Sequence, residues 1–227
     1  MSTESPVDPR ASTMTPALLA GMVLAPIFYL VVLAQMATRE GFDISRHPIS
    51  SLSLGDAGWI QVTNFLVTGL LALTAAFGLR RALAGGRAGR VGPGLIAVYG
   101  MGIILAGLFR TDPALGFPPG TPDEMPATMS TSAALHSLGF FVAFGSLTVA
   151  CFVIARRFAA EGDRPWQRYG IASGMAAPVL VATGMANPDA AGVFFALAGV
   201  VAFGWLSVTC WRLANRPVAD GPAADPR

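Results

Sequence analysis

Six stretches of this chain run without a charged residue for about the length that crosses a bilayer: 16–38, 57–79, 91–109, 125–155, 169–188 and 190–211. Spanning ~30 Å of hydrocarbon at ~1.5 Å per residue takes about 20 apolar residues in a helix. In lipid the backbone finds no water to bond, so such a stretch must satisfy its own amides by coiling into a helix. The opening of the fourth stretch, 125–131, is polar enough to be loop. The expectation is an all-α, polytopic six-transmembrane-helix bundle over residues 15–213, between disordered cytoplasmic tails at 1–14 and 214–227. The first stretch does not read as a cleavable signal. Only Arg10 precedes it, and its apolar run exceeds the ~7–15 residues of a signal core.

Composition agrees and excludes several classes. Charged residues are 12% of the chain and hydrophobic residues 53%, against about 25% charged in soluble domains. All 15 basic residues are arginine, so chemistries that need an amine (P-loop, Schiff base, pyridoxal phosphate) are excluded. A net charge of +2 gives no footprint for nucleic acid. Cys151 and Cys210 sit inside apolar runs and read as small buried hydrophobes rather than a disulfide or metal pair. No cofactor or metal is expected.

Arginine placement predicts orientation. Arg10, Arg80, Arg81, Arg87, Arg90, Arg156, Arg157, Arg164, Arg168, Arg212, Arg216 and Arg227 fall on one side of the expected bundle, and only Arg39, Arg46 and Arg110 on the other. The positive-inside rule then puts both termini in the cytoplasm. Trp59, Trp166 and Trp211 fall near span ends, where indoles suit the interface. Gly170 and Gly174 form a small-xxx-small pair, which serves close packing inside the bundle or a homodimer.

Two stretches resemble each other. Gln61, Arg80-Arg81 and Arg110–Phe117 are echoed by His136, Arg156-Arg157 and Asn187–Phe194. Each is a helix, a basic turn, a returning helix and a Pro/Asp/Gly corner. A parallel two-helix repeat accounts for this, and so do two hairpins of equal length under one charge rule.

Polar residues gather at the side opposite the arginines: Gln35, Gln61, Asn64, Thr68, Arg110, Asp112, His136, Asn187 and Asp189, with Arg46, His47, Ser50, Ser51, Ser53 and Asp56 in the first outer loop. Gln61, Asn64 and Thr68 share one helix face. Polar groups facing lipid cost several kcal/mol each, so an extracytoplasmic, polar-mouthed pocket is expected. Asp112 or Asn187 would partner one nitrogen of His136, while Arg110 and Asp112 form an interfacial ion pair or Arg110 binds a phosphate or carboxylate. His47 anchors its loop, or carries protons, since imidazole titrates near neutral pH. The five prolines between Pro113 and Pro126 make either a stiff cover or an ordinary loop.

His47-Pro48-Ile49-Ser50-Ser51-Leu52-Ser53, then Gly58-Trp59-Ile60-Gln61, Asn64-Phe65 and Gly69-Leu70-Leu71, resemble the signature of the family catalogued as domain of unknown function 998. Arg110-Thr111-Asp112-Pro113 and His136 are similar to its second signature region. The resemblance covers about residues 15–213 and implies a prokaryotic six-helix membrane protein, here placed in the bacterial plasma membrane. It implies no reaction.

Three site chemistries lack the pattern they need. A metal site drawing on His47, His136, Asp112 and Asp189 lacks any local ligand spacing. A serine hydrolase using Ser50, Ser51 or Ser53 lacks a Gly-x-Ser-x-Gly elbow. A haem between His47 and His136 lacks a deep helix pair. The reading adopted is a pocket for a lipid-like or amphiphilic molecule, with Arg110, Gln61, Asn64, Asn187, Asp189 and Ser50 as binding residues. The alternatives are a membrane-embedded enzyme using His136, Asp112 and His47 for acid–base chemistry, and an accessory subunit of a membrane complex. The bilayer itself is the first partner.

Overall fold

The computed structural model describes residues 15–216; the expected tails lie outside the described residues at 1–14 and from 217 onward, but 214–216, expected to open the second tail, is ordered, with buried Ala214 ending α6 and Arg216 paired with Glu161. Within them the chain forms α1 (Pro16–Thr38), α2 (Gly58–Ala82), α3 (Ala88–Leu108), α4 (Thr131–Ala160), α5 (Arg164–Ala186) and α6 (Ala191–Ala214), with a short 3-10 helix at Ile49–Ser53 between α1 and α2. All six spans are long and apolar enough to cross a membrane. Several helices outrun the charge-free stretches. α2 continues through Arg80 and Arg81, and α4 through Arg156 and Arg157. Arginines suit a helix C-terminus, where the macrodipole is negative, and their stems reach from the apolar zone to water.

Each helix packs on its chain neighbours, and α6 returns to α1, so the six close into a ring. Between helices in lipid there is no hydrophobic driving force; close backbone approach supplies the packing. Glycine makes that approach here. A Cβ on Gly69 would stand 2.7 Å from the Gly100 carbonyl oxygen, and one on Gly100 would stand 2.8 Å from that of Gly69, so α2 and α3 touch backbone to backbone. Gly102 and Gly139 join α3 to α4 in the same way. Gly170 and Gly174 are buried against Cys151 and Ala155 or Phe152 of α4. Both are therefore used in the α4–α5 seam.

The two expected repeat halves do run alike, helix down and helix back, yet their corners differ. The first enters a long loop over residues 109–130, with Ala114 bridged to Phe117. The second passes through one 3-10 turn, Pro188–Ala190, straight into α6. The two ends of the bundle also differ. One carries the arginine-bearing turns. The other carries the long loops, both histidines and the candidate site.

Candidate functional site

The site begins at the α3–α4 seam. Gly102 and Gly139 bring the two backbones together so closely that a Cβ on either would sit 2.7–2.8 Å from main-chain atoms of the other helix. One turn before Gly139 on α4 stands His136, which therefore meets the last turn of α3. Its Nδ1 lies 2.8 Å from the Ala106 carbonyl oxygen and 3.0 Å from that of Phe109. Both partners only accept, so Nδ1 carries the hydrogen and donates. Terminal carbonyls of a helix have no intrahelical donor, and Arg110 N–H, next in line for Ala106, donates instead to the Ser132 hydroxyl. His136 thus caps α3, and this bond fixes its ring and tautomer. Neither Asp112 nor Asn187 is the expected partner. Nε2 makes no hydrogen bond among the described residues, and the ring lines the neighbouring cavity.

That cavity has a volume of about 250 Å³. Its walls are chiefly aromatic: Phe28 and Tyr29 from α1, Phe65 from α2, Phe140 and Phe144 from α4, Phe203 from α6. These rings pack as a set. Phe28 meets Phe203 edge-on at 5.1 Å, and Phe144 lies 6.0 Å from Phe203. The Phe65 ring stands 6.2 Å from the His136 imidazole. Polar atoms are few: His136, Ser137, Ser50, Thr111 and the Tyr29 hydroxyl, which donates to Ala196 O. On the α4–α5 side the lining includes Phe141 and Met185, which are 52% and 61% exposed on the outside of the bundle. The cavity therefore reaches the lipid-facing flank between these helices.

Over the cavity lies a cap knitted from the two long loops. Phe117 is fully buried between Phe42 and His47, with Arg39 over its ring face. Arg39 also donates to Leu52 O and Leu54 O, and Arg46 pairs with Asp123 across the loops. His47, 3% exposed, joins the two: its Nδ1 accepts from Asp43 N–H at 2.9 Å, and its Nε2 donates to Leu115 O at 2.9 Å. Both nitrogens are committed to backbone. Pro48, Ile49 and Ser50, which follow, are the part of this loop that reaches the cavity. The Asp43 carboxylate is held below its usual range, first by the Ser45 hydroxyl and next by the Ser45 amide. The proline-rich segment is part of this cover, packed on the first loop through Phe117 and through Pro119 against Gly41.

The other expected residues stand apart from the cavity. Gln35, Gln61, Asn64 and Thr68 are buried in the bundle wall. There Gln61 Oε1 accepts from Gln35 Nε2 at 2.8 Å and from Asn64 Nδ2 at 3.3 Å, and Asn64 also donates to Phe28 O. The shared face on α2 is real, but it is turned to α1. Asp112 accepts from the N–H of Ser130 at 2.9 Å, the serine whose hydroxyl caps α4 at Ala133 N–H. Arg110 is exposed and makes no ion pair with Asp112; its main chain is held by Ser132. Asn187 folds back on Thr183 O at the end of α5, and Asp189 is exposed. No group of three His, Cys, Asp or Glu is placed to hold a metal ion among the described residues.

Of the residues expected at the pocket, His136 and Ser50 line this cavity, and its aromatic walls were not among them. A signal was present: His136, Phe140 and Phe144 recur every four residues on α4, and Phe195, Gly199 and Phe203 do so on α6. In a membrane span an aromatic stripe also fits lipid or a neighbouring helix, so it does not by itself single out a cavity.

No curated protein and no solved structure matches this chain. The family described as "Protein of unknown function (DUF998)" matches residues 10–212, a range that holds all six helices up to the last turn of α6, the cap and His136. The chain belongs to the DUF998 family.

Proposed function

We propose that this membrane protein binds the polar end of a lipid-like molecule in the aromatic cavity, for sensing, holding or transfer. The observation that carries this reading is the Nε2 of His136. With Nδ1 donating to α3 it is left as a hydrogen-bond acceptor, on a residue 8% exposed that lines an aromatic cavity, with no partner among the described residues. A ligand hydroxyl or amide N–H would complete it. Ligand sites typically span ~300–1,000 Å³, so a cavity of about 250 Å³ takes one end of a lipid and leaves the chain to pass out by Phe141 and Met185. Neither Arg110 nor any other cation lines the walls, which favours an uncharged head over a phosphate. We assign binding rather than acid–base catalysis because His136 has no carboxylate beside it in the cavity to act as second proton carrier.

We also assign the arginine-rich end to the cytoplasm of a bacterial plasma membrane, on the bias of arginines to one side. The cap then faces outward. Single substitutions Ser45→Cys and Arg87→Cys test it: an impermeant thiol reagent on whole cells is expected to label the first variant and not the second, and the reverse pattern overturns the orientation.

Native mass spectrometry with lipidomics tests the binding. Wild type and Arg110→Ala are expected to retain one species of lipid-like mass, and His136→Gln to lose it. Retention by His136→Gln, or loss from Arg110→Ala, would contradict the cavity.

A further inference from the structure

The opposite end of the bundle carries a second concavity. It is a cleft of about 550 Å³ between the α2–α3 turn and the end of α4, lined by Arg87, Ala88, Val91, Val153, Arg156 and Arg157. We infer that this cleft binds the phosphate of an anionic phospholipid.

Three independent features converge there. The first is unspent positive charge: Arg87 and Arg156 are exposed and make no ion pair among the described residues. Arg157 is paired with Glu161, but Glu161 also takes Arg216, so that trio still carries a net positive charge. The second is the start of α3. Arg90 and Val91 donate back to Arg87 O, while the amide of Ala88, which lines the cleft, precedes the helical ladder at the positive end of a 21-residue helix. The third is apolar. Val91 and Val153 form a wall beside the guanidiniums, and Val91 is 46% exposed. A soluble anion has no use for that wall, whereas the glycerol and acyl roots of a lipid do. Arg87 stands just before α3, and Arg156 and Arg157 stand one turn inside the end of α4. The charges therefore lie at the level where a span leaves hydrocarbon and lipid phosphates reside. Basic clefts between membrane helices at this level are suited to anionic head groups.

The test is a titration of the full-length protein in neutral detergent, followed by native mass spectrometry. Phosphatidylglycerol is compared with phosphatidylcholine of the same chains. Wild type is expected to bind phosphatidylglycerol about thirty-fold more tightly, from roughly five-fold per free arginine. The Arg87→Gln/Arg156→Gln double variant should fall to within about two-fold, and Arg90→Gln, off the cleft on the same helix, should keep the preference. Millimolar inorganic phosphate should leave the lipid bound. Equal affinity for the two lipids in wild type, a preference that survives in the double variant, or loss of preference in Arg90→Gln would overturn the inference. Displacement of the lipid by inorganic phosphate would replace it with a soluble-anion site.

Discussion

The two histidines lie at the same end of the bundle and both bond backbone carbonyls, yet they spend their ring nitrogens differently. At His47 the loop spends both ring nitrogens on backbone, accepting from Asp43 and donating to Leu115 between two phenylalanine rings. At His136 the bundle spends one nitrogen on the end of α3 and leaves the other to an aromatic cavity. Both are buried, so burial alone does not tell the two environments apart. The remaining donor and acceptor capacity does.

The strongest way to break this contrast is to part the helices that create it. Gly139→Val places branched carbons where Ala106 N and Gly102 O already stand 2.7 Å from a bare Cβ position. The cost is expected to exceed ~3 kcal/mol, since overpacking against backbone leaves nothing to yield. Loss of monodisperse protein in size-exclusion chromatography checks it, and normal folding would refute the seam. Next is His47→Leu, which strands the Asp43 amide and the Leu115 carbonyl. A loss of about 2 kcal/mol is expected, read as a lower melting temperature, with the retained lipid unchanged. His136→Gln should show the reverse pattern: under ~1 kcal/mol in stability, because the amide N–H still reaches the α3 carbonyls, but no retained lipid.

The smallest effect concerns Asp43. Its folded-state pKa lies below the ordinary value, chiefly through the Ser45 hydroxyl and then the Ser45 amide. A depressed carboxylate contributes stability above the ordinary carboxylate range and loses it as pH falls through and below that range. Between about pH 6 and pH 3, wild type should therefore lose slightly more thermal stability than Asp43→Asn. Equal acid sensitivity in both would remove the Asp43–Ser45 bond from the cap's stability.

Much of the bundle was legible because hydrocarbon imposes a length rule that the chain obeys openly. The run 16–38 coincides with α1. Ends drifted where arginines extend helices, as at Arg80 and Arg156, since a charge marks the edge of hydrocarbon and not the edge of a helix. The site was only half legible. Gln61, Asn64 and Thr68 do share a face, but spacing along one helix cannot tell a neighbouring helix from a cavity. That depends on how near α1 comes, which is set by glycines elsewhere, such as Gly78 against Ala17 and Leu18. Likewise nothing local to His136 announces that Gly102, on another helix, delivers carbonyl oxygens to it.

The most direct test is nitrogen NMR of the imidazoles, which is clean because the chain has two histidines. In ¹⁵N-histidine protein the account predicts opposite tautomers: hydrogen on Nδ1 at His136 and on Nε2 at His47, assigned with the two Gln variants. Adding lipid extract to delipidated protein should shift the His136 Nε2 resonance alone. The same tautomer at both rings, or a lipid-induced shift at His47 with none at His136, would contradict the division of labour between cap and cavity.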